Sequence, residues 1–238
     1  LPTEPRTLLV ESFVDGPEVA VEGLLVGGEF HRLAIFDKPD PLDGPYFEET
    51  IYVTPSRHDP VVLEAVTDAV ARAATALGLR EGPIHGEARL GGGHQVAVVE
   101  VAARTIGGKC ASALRFATGV SLEEIVLRHA LGETLAQFRK GFGLATRPSG
   151  VMMLPIPASG TLVGVTGSDD ALATPGVTGL EIAIAPGRPV EALPEGSRYL
   201  GFLFAEGHSP EAVERSLRDG HARLVVEIAA TGPAAAAS

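Results

Sequence analysis

The sequence predicts an α+β chain: an antiparallel sheet backed by helices, then a smaller β-rich α+β segment. Three observations predict it. Apolar stretches broken by glycine turns read as hairpins near residues 19–38 and 84–104. A helical period runs through Val62, Leu63, Val66, Val70, Ala73 and Leu77. After Gly143 the texture changes, and short strand-like pieces alternate with glycine and proline. A boundary is expected near 141–148, giving segments 1–142 and 143–232, with residues 233–238 as a disordered tail.

In order along the chain, residues 7–14 (TLLVESFV) read as a strand, and DGPE after it as a turn. Residues 19–38 read as two strands around a Gly-Gly turn. The proline-rich stretch 39–59 reads as a loop. Asp59-Pro60 then opens a helix, which Gly78 stops. IHGEARL and QVAVVEVAAR are strands flanking GGGH. Gly107-Gly108 lead into a short helix ending near Thr118. Ser121 and Glu124 form a capping box for a helix over 122–131, fraying towards Lys140. GVMMLPI, TLVGVTG, LEIAIAPG and RYLGFLFAEG are strands, Ser209-Pro210 opens a last helix, and RLVVEIAA reads as a closing strand or an extension of that helix.

Composition narrows the function. The 238 residues carry a formal net charge of −11 and no Trp. That charge argues against a nucleic-acid or anionic-membrane partner, and scarce aromatics argue against a base-stacking surface. No apolar run reaches membrane-spanning length, and the first residues lack a secretory signal pattern. A single cysteine allows no internal disulfide, which fits a cytoplasmic setting.

The chemistry gathers on the second hairpin. Glu100, Ala102 and Arg104 alternate, so they share one strand face. With GGGH as the loop, Leu90 pairs with Gln95, Glu87 falls opposite Val98, and Glu87 lies diagonal to Glu100. Two carboxylates on rigid strands suit Mg²⁺, a hard cation that bridges to phosphates. Arg104 could hold an anionic oxygen in its fork. The other reading is a solvated face whose acids and base pair with each other. Spacing alone favours that plainer reading, because such pairs are common on strands.

HGEARL followed by VVEVAARTIGG resembles the C-terminal half of an ATP-grasp domain. The resemblance implies Mg²⁺ (or Mn²⁺) on Glu87 and Glu100, with Arg104 on phosphate or the reacting group. LLVESFVDGPEVAVEGLL resembles the nucleotide hinge of the same family. There Glu11 and Val14 would reach the adenine and Glu18 the ribose. Residues 143–230 resemble the C-terminal domain of L-amino acid ligases. Carried over, the chain is the C-terminal half of an ATP-grasp domain plus that domain. The activity implied is ATP-dependent joining of a small carboxylate to an amine through an acyl phosphate. A biotin-carboxylase-like or nucleotide-precursor ligase on the same scaffold is an alternative, as is a non-catalytic nucleotide-binding module. The family's upstream half, with its phosphate loop, is the partner the resemblance calls for; a homodimer is also among the expectations. The family's Asn between the Glu and the Arg is Ala102 here.

Further residues have competing readings. Lys38 closes a hairpin strand on the cleft side, where it could meet substrate or phosphate; a plain surface lysine is the favoured reading. His85 reads as a satisfied strand histidine. Cys110 and the Met152-Met153 pair read as packed core. The seven histidines show no metal-ligand spacing.

Overall fold

The computed structural model describes residues 10–42, 48–92, 95–114, 116, 119–134 and 147–230. The first hairpin forms as β1 (Glu18–Val26) and β2 (Glu29–Lys38). Gly27 and Gly28 join them at φ 60° and 88°, a turn whose twist matches that of the strands. β1 is buried on both faces. One face meets α1 (Pro60–Ala76), whose Val66, Val70 and Ala74 pack on Val19, Val21, Ile35, Ile84 and Ala88. Pro60 sits in the first helical turn, and Asp59 precedes it without a side-chain cap bond. Gly78 ends the helix at φ 75°, where a side chain would be strained.

The second hairpin forms as β4 (Gly82–Leu90) and β5 (Val96–Ala102). α1 sits directly on β4, since a Cβ on Gly86 would lie 2.7 Å from Val70. α2 (Cys110–Ala113) is one turn, and its expected end at Thr118 lies outside the described residues. α3 (Leu122–Ala130) starts as expected, with the Ser121 hydroxyl accepting the Glu124 N–H at 3.1 Å. The stretch towards Lys140, and the tail, also lie outside the described residues.

Two expectations need correction. Residues 10–14 form no strand, and 7–9 lie outside the described residues. The loop expected over 39–59 contains β3 (Ile51–Thr54), buried at every position. It escaped sequence reading because its partner is remote. β3 has one ladder pair with β2, Asp37 opposite Val53, but pairs along its length with β6 (Ser149–Leu154).

The remaining strands are β7 (Gly160–Thr166), β8 (Val177–Ile182), β9 (Pro189–Val190), β10 (Gly201–Glu206) and β11 (Val225–Ala229). The helices among them are α4 (Ser168–Leu172) and α5 (Pro210–His221). One eight-stranded antiparallel sheet runs β5-β4-β1-β2-β3-β6-β10-β8, and a smaller sheet runs β11-β7-β9. The larger sheet therefore continues past the stretch where a boundary was expected. Its two contributions meet at β3 and β6.

Candidate active site

Alternation on four strands builds the site. The sheet face opposite α1 carries Glu18 and Glu22 from β1, Lys38 from β2, His85, Glu87 and Arg89 from β4, and Glu100 and Ala102 from β5. Glu18 is the direct cross-strand neighbour of Lys38 on one side and of Arg89 on the other. Glu22 lies opposite His85. Register alone thus sets ion pairs in register across the sheet.

Lys38 is the centre. Its ammonium donates to Glu18 at 2.5 Å, Glu49 at 2.7 Å and Glu87 at 2.8 Å, with 3% of the side chain exposed. A lysine has three N–H bonds to give, and each has a carboxylate. The ring of Tyr52 lies 5.0 Å away. Burial alone would lower the Lys38 pKa, but Glu87, Glu49 and Glu18 outweigh it and raise it. Carboxylate oxygens of these three acids lie within 4.8 Å of one another. Such a cluster would repel itself without a cation, and here the ammonium is that cation. Lys38 is therefore buried inside the cage, not presented at the surface of the cleft.

His85 forms the next link. Its Nδ1 lies 2.6 Å from Glu22 Oε1 and its Nε2 3.2 Å from Glu87 Oε1. Burial works against the imidazolium, yet the bonds to Glu22 and Glu87 hold its pKa up at about 9. Burial pushes the Glu22 carboxyl up, and His85 partly offsets this. Burial would likewise raise Glu87, but His85 and Lys38 bring it down to about 2. Glu87 is thus a fixed anion at neutral pH.

Glu87 pairs directly with Glu100, not diagonally as expected. The hairpin closes with Leu90 opposite Val96, a register that, continued, would set Val99 against Glu87 and send Glu100 to the other face. A bulge between Glu87 and Ala88 absorbs Val99 and returns Glu100 to the side of Glu87. Ala102 follows opposite His85. Glu100 and Arg104 are about half exposed and lie 3.4 Å apart.

A pocket of about 150 Å³ brings together Glu87, Glu100 and Arg104 with Glu49, Tyr52 and Tyr199. Beside it lies a cleft of about 540 Å³ lined by Glu11, Val14, Glu18, Glu87, Arg89 and Val99. Glu49 and Glu87 border both spaces. The cleft has the size of a small-molecule site. Arg89 crosses its floor, donating to Glu18 Oε2 at 2.9 Å, Val14 O at 2.7 Å and Leu42 O at 3.0 Å. This ties the stretch before β1 to the sheet. Glu87 Oε1 takes its bonds from Lys38, His85 and Tyr52, and Glu87 borders the pocket opposite a half-exposed Glu100. Two carboxylates facing each other at an open edge fit a divalent cation of the Mg²⁺ class.

Sequence reading missed Glu22, Glu49, Tyr52 and Arg89. Glu22 and Arg89 carried a signal, since each alternates with a residue already chosen. Glu49 and Tyr52 carried none, because they reach the site through β3.

The ATP-grasp domain family model matches residues 3–113, and the model for L-amino acid ligase C-terminal domain 2 matches residues 152–229. The L-amino acid ligase of Bacillus licheniformis superposes with a TM-score of 0.81 at 30% identity, over 91% of this chain and 53% of that one. Protein y4rH of Sinorhizobium fredii is 29% identical over 207 residues, covering 87% of this chain and 41% of that protein. The alanine–anticapsin ligase of Bacillus subtilis is 28% identical over 109 residues, covering 46% and 22%. The chain thus matches the ATP-grasp domain family over its first part and the L-amino acid ligase C-terminal domain 2 family over its second, and it shares the fold of the L-amino acid ligase. It spans about half the length, or less, of these relatives.

Proposed function

We propose that this chain forms one wall of the active site of an ATP-dependent carboxylate–amine ligase. The observation that carries the reading is the Glu87–Glu100 pair, with Arg104 beside it in the same pocket, at the border of the nucleotide-sized cleft. Glu87 and Glu100 would hold Mg²⁺, or Mn²⁺ in its place. That ion would neutralise charge on the transferring phosphoryl group. Glu11, Val14 and Glu18 line the space for adenine and ribose. Lys38 holds Glu18, Glu49 and Glu87 together.

A substrate carboxylate oxygen attacks the γ-phosphorus of ATP, and the bond to the ADP oxygen breaks. An amine then attacks the carbonyl carbon of the acyl phosphate, and inorganic phosphate leaves as the amine loses a proton. Arg104 sits where its fork can hold the developing oxyanion. The named substrates of the relatives are amino acids, and we extend that class to this protein. The other wall would come from an upstream half of the kind those longer relatives have. We also place the reaction in the cytoplasm, in keeping with a lone buried thiol; among the described residues no helix is long and apolar enough to cross a membrane.

The test is phosphate release by this chain joined to a nucleotide-binding half, across a panel of amino acids. Glu100→Gln keeps the shape and removes one metal-facing charge. It is expected to cut amino-acid-dependent release by about 100-fold or more with the circular dichroism unchanged. Undiminished release at limiting Mg²⁺ would overturn the assignment.

A further inference from the structure

Glu22 is 1% exposed in the middle of β1, and its same-face neighbours Ala20 and Leu24 belong to an apolar cluster. A buried carboxylate is costly there unless its oxygens are paired and hydrogen-bonded. Its two oxygens have separate partners. Oε1 lies 2.6 Å from His85 Nδ1, and His85 Nε2 reaches Glu87 at 3.2 Å. Oε2 accepts the backbone N–H of Ile106 at 3.1 Å. Residues 103–108 are neither helix nor strand, so this bond anchors the backbone of the turn that carries Arg104. The Ile106 side chain is fixed in the same apolar cluster as Ala20 and Leu24.

We propose that Glu22 is a positioning residue: one carboxylate braces the Glu87 strand and the Arg104 turn against each other, so that the site's acid and cation keep one separation. The idea rests on the ligase reading for its consequence, though the brace itself is a property of this chain. Both arms depend on the length of the side chain. Glutamine keeps that length, offering an oxygen to Ile106 and an amide to the unprotonated Nδ1 of a neutral His85. Aspartate keeps the charge but draws the carboxylate back by about one methylene, roughly 1.5 Å, too far to serve both partners.

The experiment compares Glu22→Gln and Glu22→Asp with the wild-type chain by two readouts. The first, free of metal, is hydrogen exchange at the Ile106 amide. The second is Mn²⁺ affinity, by water-proton relaxation. Glu22→Asp is expected to speed Ile106 exchange at least tenfold and to weaken Mn²⁺ binding by about 10–100-fold, the usual range for a lost outer-shell partner. Glu22→Gln is expected to stay within about threefold of wild type in both, well inside that range. Should Glu22→Asp fail to fold, His85→Asn shortens the next link, and it should weaken Mn²⁺ binding while leaving Ile106 exchange unchanged. A folded Glu22→Asp with wild-type exchange and affinity would overturn the brace. So would a Glu22→Gln as damaged as Glu22→Asp, since charge and not reach would then matter. A wild-type chain that binds no Mn²⁺ would instead count against the metal site, and Ile106 exchange would still decide the brace.

Discussion

Lys38 is the residue on which the charged face depends. Its ammonium serves Glu18, Glu49 and Glu87 at once while almost fully buried. Removing one partner of a buried ionic group costs about 3–5 kcal/mol, because the other charges stay buried and unpaired. Lys38→Met is therefore expected to lower unfolding stability by at least about 3 kcal/mol in urea titrations. A loss below 1 kcal/mol would mean that the carboxylates relax into water. His85 gives a second handle. Its folded pKa of about 9 lies above the ordinary 6.5. The folded chain thus holds this proton more tightly than the unfolded one. The stabilisation is complete below pH 6.5 and fades as pH rises through 9. Urea midpoints should fall across that window in the wild type and stay level in His85→Gln. Equal slopes in both would rule out His85 as the source.

At the scale of elements, the β4–β5 hairpin carries the site, and its bulge decides which side chains meet. One extra residue in a strand ordinarily flips every later side chain to the other face. Here Val99 is that residue, and the ladder resumes with Glu87 opposite Glu100. Deleting Val99 should therefore be tolerated. The ladder becomes regular and Glu100 still faces Glu87. Mn²⁺ affinity is expected to remain within about threefold of wild type, far less than the 10–100-fold that follows from disturbing a ligand's support. Loss of binding in a folded deletion variant would show that the twist added by the bulge, not the register, aims Glu100. The alternation of Glu100, Ala102 and Arg104 was legible in the sequence. The pairing partner of Glu87 was not, because a bulge depends on how two strands settle across the sheet.

Across the whole molecule, the two halves of the chain share one sheet and one core. β3 pairs with β6 along its length. The apolar cluster that backs the site includes Phe36, Tyr52, Leu114 and Ile125 from the first half, and Val151 and Met153 from the second. Arg57 adds a polar tie, bonding Asp37 at 2.9 Å and Glu214 at 2.7 Å. A version ending at residue 134 would expose that cluster and leave β3 unpaired along most of its length. It is expected to bind a hydrophobic dye and to unfold at a clearly lower urea concentration than the full chain. A matching midpoint would show that the first half folds independently. The sequence by itself determined the local elements, from their hydrophobic periods and turn residues. It also determined that Glu87 and Glu100 lie on adjacent strands of one hairpin, with Arg104 just beyond it. Only the tertiary structure decided that Lys38 lies inside a carboxylate cage, that Glu22 reaches both His85 and Ile106, and that Glu49 and Tyr52 join them. Those contacts link residues far apart in the chain, and their geometry follows from register and packing, which no local pattern encodes.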